Sequence, residues 1–317
     1  MRILIVRFAA IGDCVMTAWP VTALRSTVPE AELVWAVQEK CAPVIDTDRL
    51  VNQLHVFPRE RWKAHRWSPS TWREQIAHYT ALRRTGIDVG FDFQGHSKTA
   101  LCLRLAGCQE RFASRATDAL AARLNPPSQL KPEGPHEVQL AMALIQARFD
   151  VDLPEKPMMP QASEGNPVSK SDRPLVTIQT GAGESDKQYP SAFWDLVADQ
   201  ISSTGAKVVA IGGPADPRLS SPSVNDQVGR LTLRESLALV ADSDLHLAGD
   251  TGTGHAAAAY GVPTVSVFGR TDPQRFRPWG RNAIVLREGA RTSEVQPGQV
   301  AAAALTVLEA KPVASAH

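Results

Sequence analysis

The most constraining feature of this chain is a rhythm that runs twice. Short runs of β-branched and aliphatic residues alternate with longer amphipathic stretches on both sides of a Pro- and Ser-rich interruption. In the first round "RILIVRF" (2–8), "AELVWAVQ" (31–38) and "IDVGFDFQG" (87–95) read as strands. "AWPVTALRSTV" (18–28), "STWREQIAHYTALRRTG" (70–86), "SKTALCLRLAG" (97–107) and "HEVQLAMALIQARF" (136–149) read as helices, the second and third closed by Gly86 and Gly107. After "DVDLPEKPMMPQASEGNPVSKSDRP" the rhythm restarts. "LVTIQT" (175–180), "AKVVAIGG" (206–213), "LHLA" (245–248) and "PTVSVFG" (263–269) are strands. "SAFWDLVADQISSTG" (191–205), "LRESLALVADS" (233–243), the alanines 256–259 and the tail "PGQVAAAALTVLEAK" (297–311) are helices. Such alternation predicts parallel sheets joined by crossover helices, one sheet per half. The expected organisation is an α/β domain over 1–152, a linker over 153–173 and a second α/β domain over 174–317. Two such domains predict a cleft, with ligands at the C-terminal ends of the strands.

Composition narrows the function. The 317 residues carry a formal net charge of +1, without the basic surplus of a dedicated nucleic-acid binder, so nucleic acid is not an expected partner. No apolar run approaches the ~20 residues of a membrane span. Arg7 interrupts the N-terminal apolar run and no small-residue cleavage site follows, so the run reads as a first strand and not a signal peptide. Cys14, Cys41, Cys102 and Cys108 show no CxxC spacing and lie in apolar segments, as reduced, buried thiols of a cytoplasmic protein do.

Three loops fall where strands end. In "RFAAIGDCVMT", Gly12 permits a tight turn and Asp13 stands where a helix begins. Asp13 is either a helix cap or a carboxylate placed as general base. In "QTGAGESDKQYPSAFW", small residues follow Thr180, and Lys187 precedes a helix. The backbone N–H groups and the lysine can cradle and neutralise a phosphate, or the lysine is simply solvated. In "AGDTGTGHAAAAYG", Asp250 ends a strand and a helix starts with small residues only. Exposed N–H groups at the positive end of that helix suit an anion. Thr251 and Thr253 add hydroxyls, Gly252 and Gly254 allow close approach, and His255 donates to the anion or packs.

Other candidates are weaker. Asp242 with Asp244, and Asp46 with Asp48, imitate a metal-binding carboxylate pair, but they sit where capping roles dominate. "PRERWKAHRW" places Arg59, Arg61, Lys63 and Arg66 against Glu60 alone, with Trp62 and Trp67 interleaved. It reads as a solvated basic loop or as a site for an anionic acceptor.

Taken together these motifs resemble the lipopolysaccharide heptosyltransferases of glycosyltransferase family 9. "MRILIVRFAAIGDCVMTAWPVTAL" is similar to the family's opening strand and Gly-Asp turn, and "ELVWAVQEKCAPV" to its second strand. "RERWKAHRW" is similar to the basic loop of the heptosyltransferase I branch, and "FDFQGHSKTALCLRLAG" to the Asp-x-Gln-Gly segment that includes Lys98. "DTGTGHAAAAYGVPTVSVFGRTDPQRFRP" matches the long Asp-Thr/Ser-Gly-x-x-His motif with its trailing Pro and Gly-x-Thr-x-Pro.

The resemblance implies a GT-B fold, two Rossmann-like α/β/α domains facing across a cleft, the first binding acceptor and the second the nucleotide-sugar. It implies Asp13 as general base and Lys187 as neutraliser of the donor diphosphate. Asp250 would partner the donor sugar, and Thr180, Gly181, Thr251, Gly252 and His255 would line the diphosphate end, with Asp216 as a rough counterpart of a ribose-binding glutamate. Arg59, Arg61, Lys63 and Lys98 would face the acidic Kdo sugars and phosphates of the acceptor. The implied reaction is metal-independent, cofactor-free, inverting transfer from ADP-heptose to a lipid-linked anionic saccharide, in the cytoplasm or peripherally on the inner membrane's cytoplasmic face. Alternatives are another nucleotide-sugar or an inactive nucleotide-sugar binder. The chain departs from its relatives at Ala9, Ala10 and Met16, and at Gly181, Ala182 and Gly183 where they carry threonines. These changes bear on donor choice more than on reaction type.

Overall fold

The computed structural model describes residues 1–161 and 172–310. The chain divides into two compact units, Met1–Pro160 and a second that begins at Gln161. The first runs β1 (Arg2–Val6), α1 (Ile11–Thr27), β2 (Glu32–Gln38), β3 (Gln53–Phe57), α2 (Arg59–Ala64), α3 (Pro69–Arg83), β4 (Val89–Asp92), α4 (Ser97–Ala106), β5 (Glu110–Ala113), α5 (Ala119–Leu124) and α6 (Glu137–Gln146). Among the described residues its sheet has five strands, in the order β3-β2-β1-β4-β5, and every neighbouring pair is parallel.

The second unit runs β6 (Leu175–Gln179), α7 (Ser191–Ser202), β7 (Lys207–Ile211), β8 (Val224–Asp226), α8 (Leu233–Ala241), β9 (Leu245–Gly249), α9 (Gly252–Tyr260), β10 (Thr264–Val267), α10 (Pro273–Phe276), β11 (Ala283–Leu286) and α11 (Pro297–Ala310). Its sheet, again all parallel, has the order β11-β10-β9-β6-β7-β8. Both sheets therefore begin near the middle. The chain works outward to one side, then returns to the other side of its first strand. The reversals fall between β1 and β4 and between β6 and β9.

Central strands are covered on both faces, which is why they read as unbroken apolar runs. Ile3, Leu4, Ile5 and Val6 are fully buried, as are Leu245 and Leu247. In the second unit Val176, Ile178, Trp194, Val197 and Ile201 pack with Val300 and Ala304 of α11 into one cluster. All four cysteines are buried and free.

The structure moves several expected boundaries. α1 begins at Ile11, so Gly12 belongs to the helix and the turn precedes it. α3 ends at Arg83 and not at Gly86; Gly86 takes φ 68° in the turn that follows. α9 starts at Gly252, four residues ahead of the alanines. The basic stretch expected as a loop is the short helix α2, anchored by buried Trp62. Of the expected linker, residues 162–171 lie outside the described residues. Before them the chain stays on the first unit: the Met158 N–H donates to Thr22 Oγ1 at 2.8 Å, and Arg49 donates to the Met159 carbonyl at 2.6 Å. Lys311, at the end of the expected tail helix, lies outside the described residues.

At the end of β4 a buried carboxylate shapes the loop. Asp92 is fully buried, and its Oδ1 accepts from the N–H groups of Gln94 at 2.9 Å and Gly95 at 2.8 Å. Gly95 has φ 73°, and a Cβ there would meet the Arg115 carbonyl oxygen at 2.3 Å. Burial pushes the Asp92 carboxyl up to about 6, against the lowering effect of the two N–H donors. A folded-state value above the unfolded one means that the folded unit binds the extra proton. Stability is then lost as pH rises from about 4 through 6. Asp92→Asn is expected to remove this slope. In urea unfolding the variant should gain on the wild type between pH 4 and 7, by at most about 3 kcal/mol. Parallel stability curves over that range would show that Asp92 is not the source.

Candidate active site

In the first unit the loops after β1 and β4 meet at the strand reversal. The Phe8 N–H donates to Gln94 Oε1 at 3.0 Å, tying one loop to the other. Asp13 sits in the first turn of α1, and its Oδ2 accepts from the Ala10 N–H at 3.0 Å. The same oxygen forms an ion pair with the Arg7 guanidinium, which also donates to the Phe93 carbonyl. Burial alone would lower the Arg7 pKa. The charge and hydrogen bond of Asp13, with Cys14 and Glu137, outweigh that and raise it. Arg7 is thus a fixed buried cation that orients the Asp13 carboxylate. Asp13 and Arg7 line a small pocket together with Met16, Thr17, Ser114 and Arg115. Arg115 in turn pairs with Glu137.

The four basic residues expected for the acceptor do not act alike. The charge of Arg59, then partial burial, then the charge of Lys63 lower the Lys98 pKa. These three cations therefore share one field beside the β1 and β4 loops. The Arg59 guanidinium also stands 5.7 Å from the Phe8 ring centre. Arg61 instead pairs with Glu74 on α3. Lys63 pairs with Glu60, at 3.0 Å.

In the second unit the loops after β6 and β9 meet in the same way. The Lys187 ammonium lies 2.8 Å from Asp250 Oδ2, and His255 Nε2 lies 3.9 Å from Asp250 Oδ1. Burial pushes the Asp250 carboxyl up, but the hydrogen bonds and charges of His255 and Lys187 prevail and hold it down to about 2. Thr251 caps α9, its hydroxyl accepting from the Gly254 N–H at 3.4 Å, and Gly252 opens the helix. Thr180 is buried at the end of β6. Gly181 faces Asp216 so closely that a Cβ would fall 1.9 Å from the carboxylate carbon. Asp216 turns inward: its Oδ2 accepts from the Gly213 N–H at 2.8 Å and from Gln179 Nε2 at 3.1 Å.

Behind this cluster runs a buried chain of polar groups. His246, fully buried in β9, has Nδ1 2.8 Å from Thr177 Oγ1 and Nε2 3.1 Å from Thr253 Oγ1. Burial lowers its pKa to about 3, so the ring is neutral and bridges two hydroxyls. Thr253 also donates to Gln179 Oε1 at 3.5 Å. Sequence reasoning missed His246, Gln179 and the partnership of Arg7 with Asp13. The available signals were a histidine and an arginine interrupting apolar strands.

The carboxylate pairs considered for metal have backbone duties. Asp46 accepts from the N–H groups of Asp48 and Arg49, at 2.9 and 3.0 Å, and Asp244 from that of Leu175 at 2.8 Å. Among the described residues no group of three or more His, Cys, Asp or Glu side chains is placed to hold a metal ion.

Comparison with known proteins decides the family. Residues 75–303 match the profile of glycosyltransferase family 9 (heptosyltransferase). The chain belongs to glycosyltransferase family 9. The lipopolysaccharide heptosyltransferase 1 of Pseudomonas aeruginosa is 27% identical to this transferase over 302 residues, covering 90% of this chain and 83% of that one. Lipopolysaccharide heptosyltransferase 2 of Escherichia coli K12 is 25% identical, covering 95% and 92%. The solved structure of E. coli heptosyltransferase WaaC with ADP shares the fold with a TM-score of 0.81 at 22% identity, covering 97% of this chain and 100% of that one. The transferase thus has the GT-B fold, built from two Rossmann-like α/β units.

The Lys187–Asp250 contact is testable by a double-mutant cycle. Lys187→Met leaves a carboxylate whose side chain is 9% exposed with His255 alone, and is expected to cost about 1–3 kcal/mol. Adding Asp250→Asn should recover most of that loss in chemical denaturation. A double variant whose loss equals the sum of the single losses would mean that the two groups are not coupled.

Proposed function

We propose that this glycosyltransferase moves a heptose from ADP-heptose, with inversion, onto an anionic, Kdo-containing lipopolysaccharide inner-core acceptor. The observation that carries the donor side is the Lys187–Asp250–His255 cluster at the N-terminus of α9. It offers a cation and unpaired helix N–H groups to a diphosphate, and a buried carboxylate to sugar hydroxyls. The named relatives support the sugar. The shared field of Arg59, Lys63 and Lys98 supports an acceptor that carries carboxylates or phosphates.

The chemistry follows from the residues. Asp13 takes the proton of an acceptor hydroxyl as that oxygen attacks the anomeric carbon from the face opposite the diphosphate. The anomeric carbon–oxygen bond to the diphosphate breaks, and ADP leaves with the electron pair. Arg7 holds the Asp13 carboxylate aimed before the acceptor arrives. On the donor side the growing negative charge of ADP meets Lys187 and the positive end of α9, both in place beforehand. Gly181, Gly252 and the hydroxyl of Thr180 are proposed to let the diphosphate approach the backbone. Thr251 and Asp216 are proposed for the donor as well.

The reading is tested by ADP release from ADP-heptose with a delipidated Kdo acceptor, against a panel of other nucleotide-sugars. Asp13→Asn should lower turnover by roughly 10²-fold or more while ADP affinity, measured calorimetrically, stays within a factor of two or so. Near-normal turnover would remove Asp13 from the mechanism. Faster release with another nucleotide-sugar would replace the donor and keep the reaction type.

Lys187 and the α9 N-terminus supply the charge that a divalent cation supplies elsewhere. Activity is therefore expected to survive excess EDTA. A loss on chelation that is reversed by a divalent metal would overturn this part of the reading.

A further inference from the structure

We propose that the outer face of α3 and the turn before it dock on an anionic lipid bilayer. The inference rests on the reading above only in that a lipid-linked acceptor gives the docking a purpose. Trp67, Trp72 and Ile76 are 77%, 53% and 60% exposed. Large apolar side chains at such exposure are expected singly on a soluble surface, not three within ten residues. Trp72 and Ile76 are four residues apart on α3 and share a face. The buried residues of α3 are Thr71, Tyr79 and Leu82. α3 is therefore held to the unit by those side chains while Trp72 and Ile76 stay in solvent.

The tryptophans are also fixed in place. The Trp72 indole N–H donates to the Arg66 carbonyl at 2.8 Å, and the Arg66 guanidinium stands 5.3 Å from the Trp67 ring centre. A rigid apolar ring with its polar edge satisfied suits the headgroup layer of a membrane.

Charge selects the occupant. Residues 59–84 hold seven arginines and lysines against two glutamates, a net +5 in a chain of net +1, so the rest of the chain carries −4. Both glutamates are engaged, Glu60 by Lys63 and Glu74 by Arg61. Arg73, Arg83 and Arg84 are exposed and make no ion pair among the described residues. Exposed indoles ringed by arginines match an interface of acyl chains and lipid phosphates. A second copy of the chain fits poorly, because a two-fold contact would set two such positive faces against each other. No helix of the described residues is long and apolar enough to cross a membrane, so the contact is one that lies on the surface.

The test uses the full chain with vesicles of phosphatidylglycerol and phosphatidylethanolamine, and with pure phosphatidylcholine as reference. The protein should sediment with the anionic vesicles, less so at high salt, and its tryptophan emission should shift to the blue. Trp67→Ser/Trp72→Ser/Ile76→Ser should lose vesicle binding by roughly tenfold or more. Arg73→Glu/Arg84→Glu, which keeps every apolar group, should do the same. Both variants should keep the wild-type circular dichroism and the wild-type turnover of a delipidated acceptor. Vesicle binding unchanged in both variants would overturn the proposal. So would a wild type that ignores vesicles and instead shows concentration-dependent self-association that the tryptophan variant abolishes. Failure of turnover with every acceptor, alongside intact vesicle binding, would sink the proposed function and leave the docking surface standing.

Discussion

Each unit depends on one topological constraint. A right-handed crossover between parallel strands sends the chain to one side of the sheet, and it has to reverse before it can fill the other side. The reversals fall between β1 and β4 and between β6 and β9. At those two places adjacent strands send their loops away to opposite faces, and the strand ends between them are left open. Asp13, Gln94 and Lys98, on the segments that follow β1 and β4, belong to the first opening, and Lys187 and Asp250, after β6 and β9, to the second. Residues distant in sequence meet there because the strand order brings them together. No local motif could do so alone.

Both openings bury a charge pair, with the roles exchanged. In the first unit the buried partner is the cation: Arg7 is nine-tenths hidden and fixes a carboxylate at the more open end of the pair. In the second it is the anion: Asp250 is the hidden partner, and the lysine reaches toward solvent. Burying an unpaired charge is prohibitive, so each pair is a condition of folding as much as a device for function. The exchange still has a chemical sense. A base benefits from a nearby group that fixes its orientation. A phosphate-binding lysine benefits from an anion that holds its extended chain in place before the ligand arrives, so that less side-chain freedom is lost on binding. Neutral His246 completes the second arrangement by supporting Thr253 from behind without adding a charge.

What the sequence disclosed follows from burial. β1, β2, β4, β6, β7, β9 and β10 lie in or beside the sheet centres and announce themselves as apolar runs. β3, β5, β8 and β11 went unread. β3 and β8 are sheet-edge strands of polar, half-exposed sequence, "QLHVF" and "VND". The positions of Asp13, Lys187 and Asp250 at strand ends were legible because small residues and a helix start surround each one. Their partners were not. The pairing of Arg7 with Asp13 and the bridge from Thr177 through His246 to Thr253 join side chains whose contact exists only once the strands are aligned. The basic segment was misread as a loop because its charges mask Trp62, whose burial against Phe57 at 5.7 Å between ring centres makes it a helix.

The small residues of the α9 motif gain their meaning from this geometry. A helix can offer its N-terminus to an anion at a strand end only if its axis passes close to the sheet, and bulky side chains would lift it away. Gly254, Ala256, Ala257 and Ala259 are buried, and a Cβ on Gly254 would already stand 3.6 Å from both Ala248 and Ser266. On the other flank a Cβ on Gly280 would stand 3.4 Å from that of Ala258. Beneath, Gly249 leaves room for the Lys187 carbonyl, which a Cβ would meet at 2.9 Å. The run from Gly249 to Ala259 is therefore a packing solution first. By letting the β6 loop, β9 and α9 approach within single-atom clearances, it sets the Lys187 ammonium, the Asp250 carboxylate and the open helix end in one place. A larger residue at Gly249 acts on that cluster by displacing the Lys187 backbone that it would strike.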